Sequence, residues 1–458
     1  MRKIRFFVVL LAIFAILGGT AFANTALNHV KMAPNGEGDL LFFPWYLAAS
    51  GGWQTQISVI NTSNDYSTVA KVIIHSHNWS DELLDFLIYL SPNDVWTGYI
   101  RYGAQGTYLY SVDDSILVSK PASSKMTAAE VATYFASPTN PVSMPLYAPK
   151  CPAASKIDSK TDSSDYGYIE VIESNATTAV GPGKQTKNLV YEWYEANTSV
   201  TQHTVNILTG YQEFQNTEAG SYSALARAQV FADWHNASGL LSSDVTGLVG
   251  NLTNNTLGEL EAAMAKQNIA LPYIWRGAAA TLHFFTFPTK LSYTYKDTST
   301  GKVPCDEYIT STGIGKSDFW GYSRTPFKCL PYRSTGYDLS ENTVTTGPFS
   351  GGGTSQKMCE EMQWIPAYIP GDLFTEGWIR YVMGAGSSVD LSATTFRLLE
   401  PNTGIFSGAP VLSSALYIRA ASISQAEAAW TQKIVTVPAS AGINYPYYQY
   451  ADEHLLLP

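Results

Sequence analysis

The sequence predicts an all-β protein built of antiparallel Ig-like or jelly-roll sandwich layers, with two short helices and a disulfide-bounded excursion. Three observations carry that reading. Between residues 39 and 118, apolar and polar residues alternate in short runs separated by clusters of Gly, Pro, Asn, Asp and Ser. Charged residues are only 14% of the chain and aromatics reach 13%, the balance that half-buried pleated surfaces need. Helix-length runs with a 3.6-residue apolar period are nearly absent.

Taken in order, Leu40 to Leu47 (LLFFPWYL) opens the first sandwich, 39–118, with Pro44 marking an edge or a bulge. Gly51-Gly52 turns the chain into Gln54 to Ile60, where Thr55, Ile57 and Val59 share a face. Asn61 to Asp65 is a run of turn residues. Ala70 to Ser76 and Leu83 to Leu90 follow with period-two alternation, and Ser91 to Asp94 turns into Val95 to Tyr102. Residues 119–165 read as a connector. A capping box, Thr127 with Glu130, opens a short helix to Phe135, and Pro138, Pro141, Pro145, Pro149 and Pro152 follow.

A second β region is expected over 166–437. Its strands are Tyr166 to Glu173, Leu189 to Tyr194, Val205 to Phe214 and Ala224 to Phe231. Thr256 with Glu259 caps a second helix through Gln267. Ala278 to Phe287 and Lys290 to Tyr295 read as a hairpin across Pro288-Thr289. Residues 297–362 hold three cysteines and Gly351 to Gly353 with little periodicity, an insertion or a lid. Strands resume at Gly377 to Met383, Ser392 to Leu399, Ser413 to Ala421 and Lys433 to Val437, before a Tyr-rich tail, 438–458. No short tandem repeat suggests a solenoid or propeller.

Residues 1–23 have the form of a cleaved signal peptide. Arg2, Lys3 and Arg5 precede an apolar core from Phe6 to Leu17, and Ala21-Phe22-Ala23 supplies the small-x-small cleavage pattern. Neither Asn24 nor the last residues, His454 to Pro458, offer a lipid or sorting anchor. The expectation is a secreted or non-covalently surface-bound protein, with no transmembrane segment in the mature chain. The chain after residue 23 carries 25 basic against 38 acidic residues, a net −13, which argues against nucleic acid as a partner.

The four cysteines, Cys151, Cys305, Cys329 and Cys359, read as two disulfides in an oxidising compartment. Spacing favours Cys305–Cys329 with Cys151–Cys359, although Cys329–Cys359 is equally close. No CxxC occurs, so neither a zinc ribbon nor a thioredoxin-type site is indicated.

Several segments, in order, resemble a group of exported, cell-surface β-sandwich proteins of environmental bacteria for which no activity is known. They are Gly52 to Ser63 (GWQTQISVINTS), Leu83 to Gly98 (LLDFLIYLSPNDVWTG), Thr286 to Lys290 (TFPTK) and Gly408 to Val411 (GAPV). The resemblance spans roughly residues 39–425. It implies export and a β fold, and it supplies no catalytic residue.

Candidate chemistry is sparse. His75 and His77 are spaced to project from one strand face and form the metal candidate, with Glu82 or Asp81 nearest as a third ligand. Their alternative is a solvated polar face. Asp158, Asp162 and Asp165 crowd one loop, but Ser163 stands where an EF-hand spacing needs glycine. No G-x-S-x-G nucleophile elbow occurs. Glu170 and Glu173, three apart in one strand, fall on opposite faces and so do not form a local acid–base couple. Among the 11 tryptophans, Trp53 and Trp96 read as core anchors, while Trp320 with Tyr322 is the expected exposed ligand-stacking pair.

These features point to a non-enzymatic cell-surface or extracellular structural or adhesion protein with no cofactor. Its partners would be polysaccharide, other surface proteins or further copies of itself. The alternative is a carbohydrate-binding or carbohydrate-active protein.

Overall fold

A computed structural model describes residues 30–78, 80–116, 142–147, 163–178, 202–203, 205–217, 222–234, 260–261, 263–266, 268–274, 279–290, 330–340, 342–344, 356–358, 360–367, 375–383, 396–397, 405–406, 409–419 and 449–450. Strands β1 (Lys31–Met32), β2 (Leu40–Leu47), β3 (Trp53–Asn61), β4 (Tyr66–Ser76), β5 (Glu82–Leu90), β6 (Val95–Gly103), β7 (Gly106–Ser111) and β8 (Val142–Pro145) come first. Then follow β9 (Tyr166–Thr178), β10 (Gln202–His203), β11 (Leu208–Asn216), β12 (Tyr222–Arg227) and β13 (Gln229–Ala232). The next group is β14 (Ala265–Lys266), β15 (Asn268–Ile274), β16 (Ala279–Thr286), β17 (Leu330–Asp338), β18 (Thr343–Val344), β19 (Gln356–Met358), β20 (Met362–Pro366) and β21 (Glu376–Met383). The last are β22 (Phe396–Arg397), β23 (Ile405–Phe406), β24 (Ala409–Pro410), β25 (Leu412–Arg419) and β26 (Gln449–Tyr450). Every pairing among them is antiparallel, so the all-β sandwich class is observed.

Four sheets matter most. One runs β1-β13-β2-β9-β4-β5 and a second β12-β11-β3-β6-β7-β8. A third has β20-β16-β25-β26, and a fourth β15-β21-β17-β18. Strands from both sides of residues 119–165 are neighbours in the first two sheets. β9 lies between β2 and β4, and β11 lies beside β3. The sandwich expected to end at residue 118 therefore draws in strands through Ala232.

The first sheet is apolar on both faces. Leu41, Phe43, Val72, Ile74, Ile169 and Val171 pack against Ile57, Val59, Trp96, Ile100 and Leu109 of the second sheet. Leu40, Phe42, Trp45, Ile73 and Ile172 pack on the other side against Leu282, Phe284, Met362, Leu412 and Leu416 of the third. All eight residues of β2 are buried for this reason. The third sheet then turns Phe285 and His283 toward Tyr381 of the fourth. Sheets thus stack in layers with β2, β4 and β9 in the interior.

Pro44 sits at a bulge, where the register of β2 with β9 shifts between Phe43 and Tyr46, and it lies beyond the last residue that β13 pairs with, Phe42, so its missing N–H costs no ladder bond to β13. The extra residue inverts the side-chain alternation. Leu40 and Phe42 face the third sheet before it, whereas Trp45 and Leu47 do so after it. The freed Pro44 carbonyl accepts the Thr286 hydroxyl across the layer.

Three expectations change. β16 has β20 on one edge and β25 on the other, which leaves no edge over Leu282–Thr286 for the hairpin expected across Pro288-Thr289; residues 291–295 lie outside the described residues. The excursion 297–362 contributes β17 to the middle of the fourth sheet, paired with β21 over seven residues. Helical conformation occurs at Leu260, Glu261, Ala263 and Met264, but Ala265–Lys266 pair with Ala409–Pro410 instead of continuing toward Gln267. The expected helix 127–135, the strands over 189–194 and 433–437 and the leader lie outside the described residues. Among the described residues no helix is long and apolar enough to cross a membrane.

Candidate functional site

His75 ends β4, where a bulge after Ile74 sets it opposite Glu82 of β5 and Tyr168 of β9. Its ring stacks on Tyr168 at 4.7 Å, and the His77 ring stacks on Tyr166 at 3.8 Å. The two histidines therefore share a face, but that face is buried under the third sheet; His75 is 3% exposed and His77 0%. His75 Nδ1 donates to the Ser80 carbonyl at 3.0 Å, so its Nε2, 3.2 Å from Glu170 Oε2, meets the carboxyl across a single shared proton. His77 Nδ1 lies 2.9 Å from Glu360 Oε2. The backbone joins in, with Met362 N donating to the His77 carbonyl.

Glu361, Lys290, Glu261 and Thr289 extend this buried polar seam. Lys290 Nζ is 3.8 Å from Glu361, and Thr289 donates to Glu261 at 3.1 Å. Each histidine thus spends a nitrogen on a carboxylate. Among the described residues no group of three or more His, Cys, Asp and Glu side chains is arranged to hold a metal ion. Glu82, nearest to His75 in sequence, is lifted above the usual carboxylate range by burial, with His75 and Lys71 opposing. The seam has the form of a cross-brace between layers, with few ways in for solvent.

Glu170 and Glu173 do face opposite ways. Glu170 meets His75 on the side of Tyr168, whereas Glu173, fully buried, accepts from Thr68 Oγ1 at 2.9 Å. Asp165 accepts from Thr107 Oγ1, while Asp158 and Asp162 lie outside the described residues. Trp53 and Trp96 are core, 1% and 0% exposed. Trp320, Tyr322 and all four cysteines fall outside the described residues.

A different surface is part-exposed and has no other sheet over it among the described residues, although Gln54 within it is only 4% exposed. The second sheet has one face in the core, and its other face carries rows of aligned polar and aromatic side chains. One row reads Gln215, Gln54, Arg101, Tyr108 and Pro145 across five strands; the next reads Glu213, Gln56, Tyr99, Tyr110 and Ser143. At the strand spacing of about 4.8 Å, the six strands span about 24 Å. Gln54 donates to Gln215 and Gln215 to Gln56, both at 2.9 Å, which locks the amides into a ladder. The Arg101 guanidinium lies over Tyr99 at 4.7 Å and Tyr110 at 4.3 Å. Sequence reasoning missed this face. The signal was present: Tyr99 and Arg101 alternate with Trp96, Gly98 and Ile100, and Tyr108 and Tyr110 bracket Leu109.

No protein-family model, curated protein or solved structure matches the chain significantly.

Proposed function

We propose that the chain is an exported, non-enzymatic cell-surface or extracellular adhesion protein whose contact surface is the open face of the sheet β12-β11-β3-β6-β7-β8. The observation that supports this reading is the pair of aligned rows of Tyr, Gln and Arg. They stand on a sheet whose opposite face is anchored in a continuous apolar core. A rigid, broad and polar-aromatic surface suits repeated weak contacts with an extended polymer, because its side chains lose little freedom on binding. The leader-like residues 1–23 supply the address.

The carbohydrate-binding alternative falls within this reading, since tyrosine faces and amide ladders match the C–H faces and hydroxyls of sugars. Fractionation of the producing cells into cytoplasm, envelope and medium tests the address. Mature protein beginning near Asn24 in the envelope or medium is the expected result, and full-length protein in the cytoplasm overturns it. For the surface, Tyr99→Ala with Tyr110→Ala should lower retention on cell-surface polymer at unchanged melting temperature.

A further inference from the structure

Arg101 differs from the other basic groups around it. Lys31 pairs with Asp233 at 2.8 Å and Lys71 with Asp85 at 2.7 Å. Arg380 holds the Asn268 amide oxygen through two nitrogens, and Arg227 reaches the carbonyls of Asn35 and Gly36. Arg101 has no such acceptor among the described residues. Its Nε is sealed from solvent without a hydrogen bond, and its contacts are the two tyrosine rings. Arg227 Nε is sealed in the same way, so what sets Arg101 apart is its terminal nitrogens, which meet no acceptor among the described residues and are the donors left for one from outside.

The rings fix where that acceptor must lie. With Tyr99 and Tyr110 holding the guanidinium plane, its terminal N–H pairs form a fork that fits a planar carboxylate bidentately. Tyr108, the part-exposed flanking member of the same row, places a phenol beside the fork, while Gln54 on the other side is buried and held by Gln215. The one carboxylate in the adjoining row, Glu213, lies two strands away beyond Gln56. Charge is therefore arranged along the row, with a cation at its centre and an anion displaced to one side.

We infer that the open face binds an acidic polysaccharide, with Arg101 clasping a uronic-acid carboxylate and Tyr108 and neighbouring part-exposed side chains taking the sugar rings and hydroxyls. This rests on the adhesion reading of the same face and narrows its ligand. A carboxylate gives the fork two charge-assisted bonds where a neutral polymer's hydroxyls give ordinary ones, and this local cation has to act against the net −13 of the chain after residue 23, which keeps each single contact weak and salt-sensitive.

The test is retention of the full chain in affinity electrophoresis through three polymers: polygalacturonate, the same polymer fully methyl-esterified, and dextran. The expected result is retention by polygalacturonate that is lost on esterification and weakened by 0.3 M salt, as an ion pair at the surface should be. Arg101→Gln should weaken it at least tenfold, while Arg101→Lys, which keeps charge but loses the fork, should fall between. Melting temperatures of both variants report whether the fold is intact. Equal retention by all three polymers, unchanged in Arg101→Gln, overturns the acidic ligand and leaves the adhesive face standing. Retention by none overturns both.

Discussion

Two buried groups should make stability respond to pH in opposite directions. Burial lifts the Glu173 carboxyl well above the ordinary carboxylate range, the Asp39 charge adds to that, and the Thr68 hydrogen bond opposes it. The folded state thus holds this proton more tightly than the unfolded chain. Its stabilising effect is complete below pH 4.5 and is lost as pH rises through the higher folded value. Glu173→Gln should be more stable than wild type in urea at pH 8 and about equal at pH 4; a less stable variant at pH 8 would show that the carboxylate is ionised in place. Burial lowers the His283 imidazole to about 4, against the opposing bond from Nε2 to the Pro272 carbonyl. With Nδ1 left to accept from the Tyr381 hydroxyl at 2.8 Å, the ring is neutral and its tautomer is set. Stability from His283 is present above pH 6.5 and lost as pH falls toward 4, on the order of 3 kcal/mol in full. A His283 ring that titrates near 6.5 by NMR would refute this. Neither group announced itself in the sequence: Glu173 ends an alternating strand like any surface carboxylate, and only a second sheet laid over β16 makes His283 interior.

At the scale of elements, alternation was the legible quantity. Strands from β2 to β6 lie where apolar runs and period-two patterning placed them, within a few residues: β3 and β6 have one face in a core, while β2 and β4 are buried on both. β15 and β17 were not legible. Pro272 and Gly336 interrupt them, and Asn268 and Arg333, both exposed, read as loop. The His75–His77 spacing was read correctly as one shared face. Its burial was not, because the covering residues Glu360 to Met362 come from almost 300 positions later. Close approaches set further demands. A Cβ on Gly167 would stand 1.9 Å from the His75 carbonyl, and one on Gly98 2.5 Å from the Trp96 ring. Gly167→Ala should cost about 3 kcal/mol or more by forcing β9 away from β4, against about 1–2 kcal/mol for Gly98→Ala, where a ring can shift. Chemical denaturation of both variants checks the order. Between layers, Trp45 stacks on Phe284 at 5.2 Å. Phe284→Ala should cost about 3–5 kcal/mol, and a loss under 1 kcal/mol would mean that the two sheets are not packed as one core.

For the whole molecule, the decisive property is that β2, β9 and β4, in the middle of the sheet β1-β13-β2-β9-β4-β5, have next to no face left for water. Cutting the chain after Trp234 would bare Leu40, Phe42, Trp45, Ile73 and Ile172 together. A fragment of residues 24–234 should therefore bind the dye ANS strongly and aggregate, whereas the intact chain should not. A soluble fragment with a single sharp melt would show that the outer layers are dispensable. Such mutual dependence also explains why domain boundaries were not readable: a connector rich in proline looks like a border, but the strands on either side of it hydrogen-bond to each other.

The Pro44 bulge has a consequence in time as well as in space. During synthesis the segment LLFFPWYL emerges on the order of a hundred residues before β9, its partner, and further still ahead of the sheet that covers it. At ordinary elongation rates it waits on the order of ten seconds as an eight-residue apolar stretch with no strand to pair with. Such a stretch is the kind that stacks with copies of itself into cross-β aggregates, and a proline in its middle, lacking the N–H that stacking needs, is what blocks that outcome. The residue at which the strand exchanges its two cores in the finished protein is the same residue that keeps the unfinished chain apart from its neighbours.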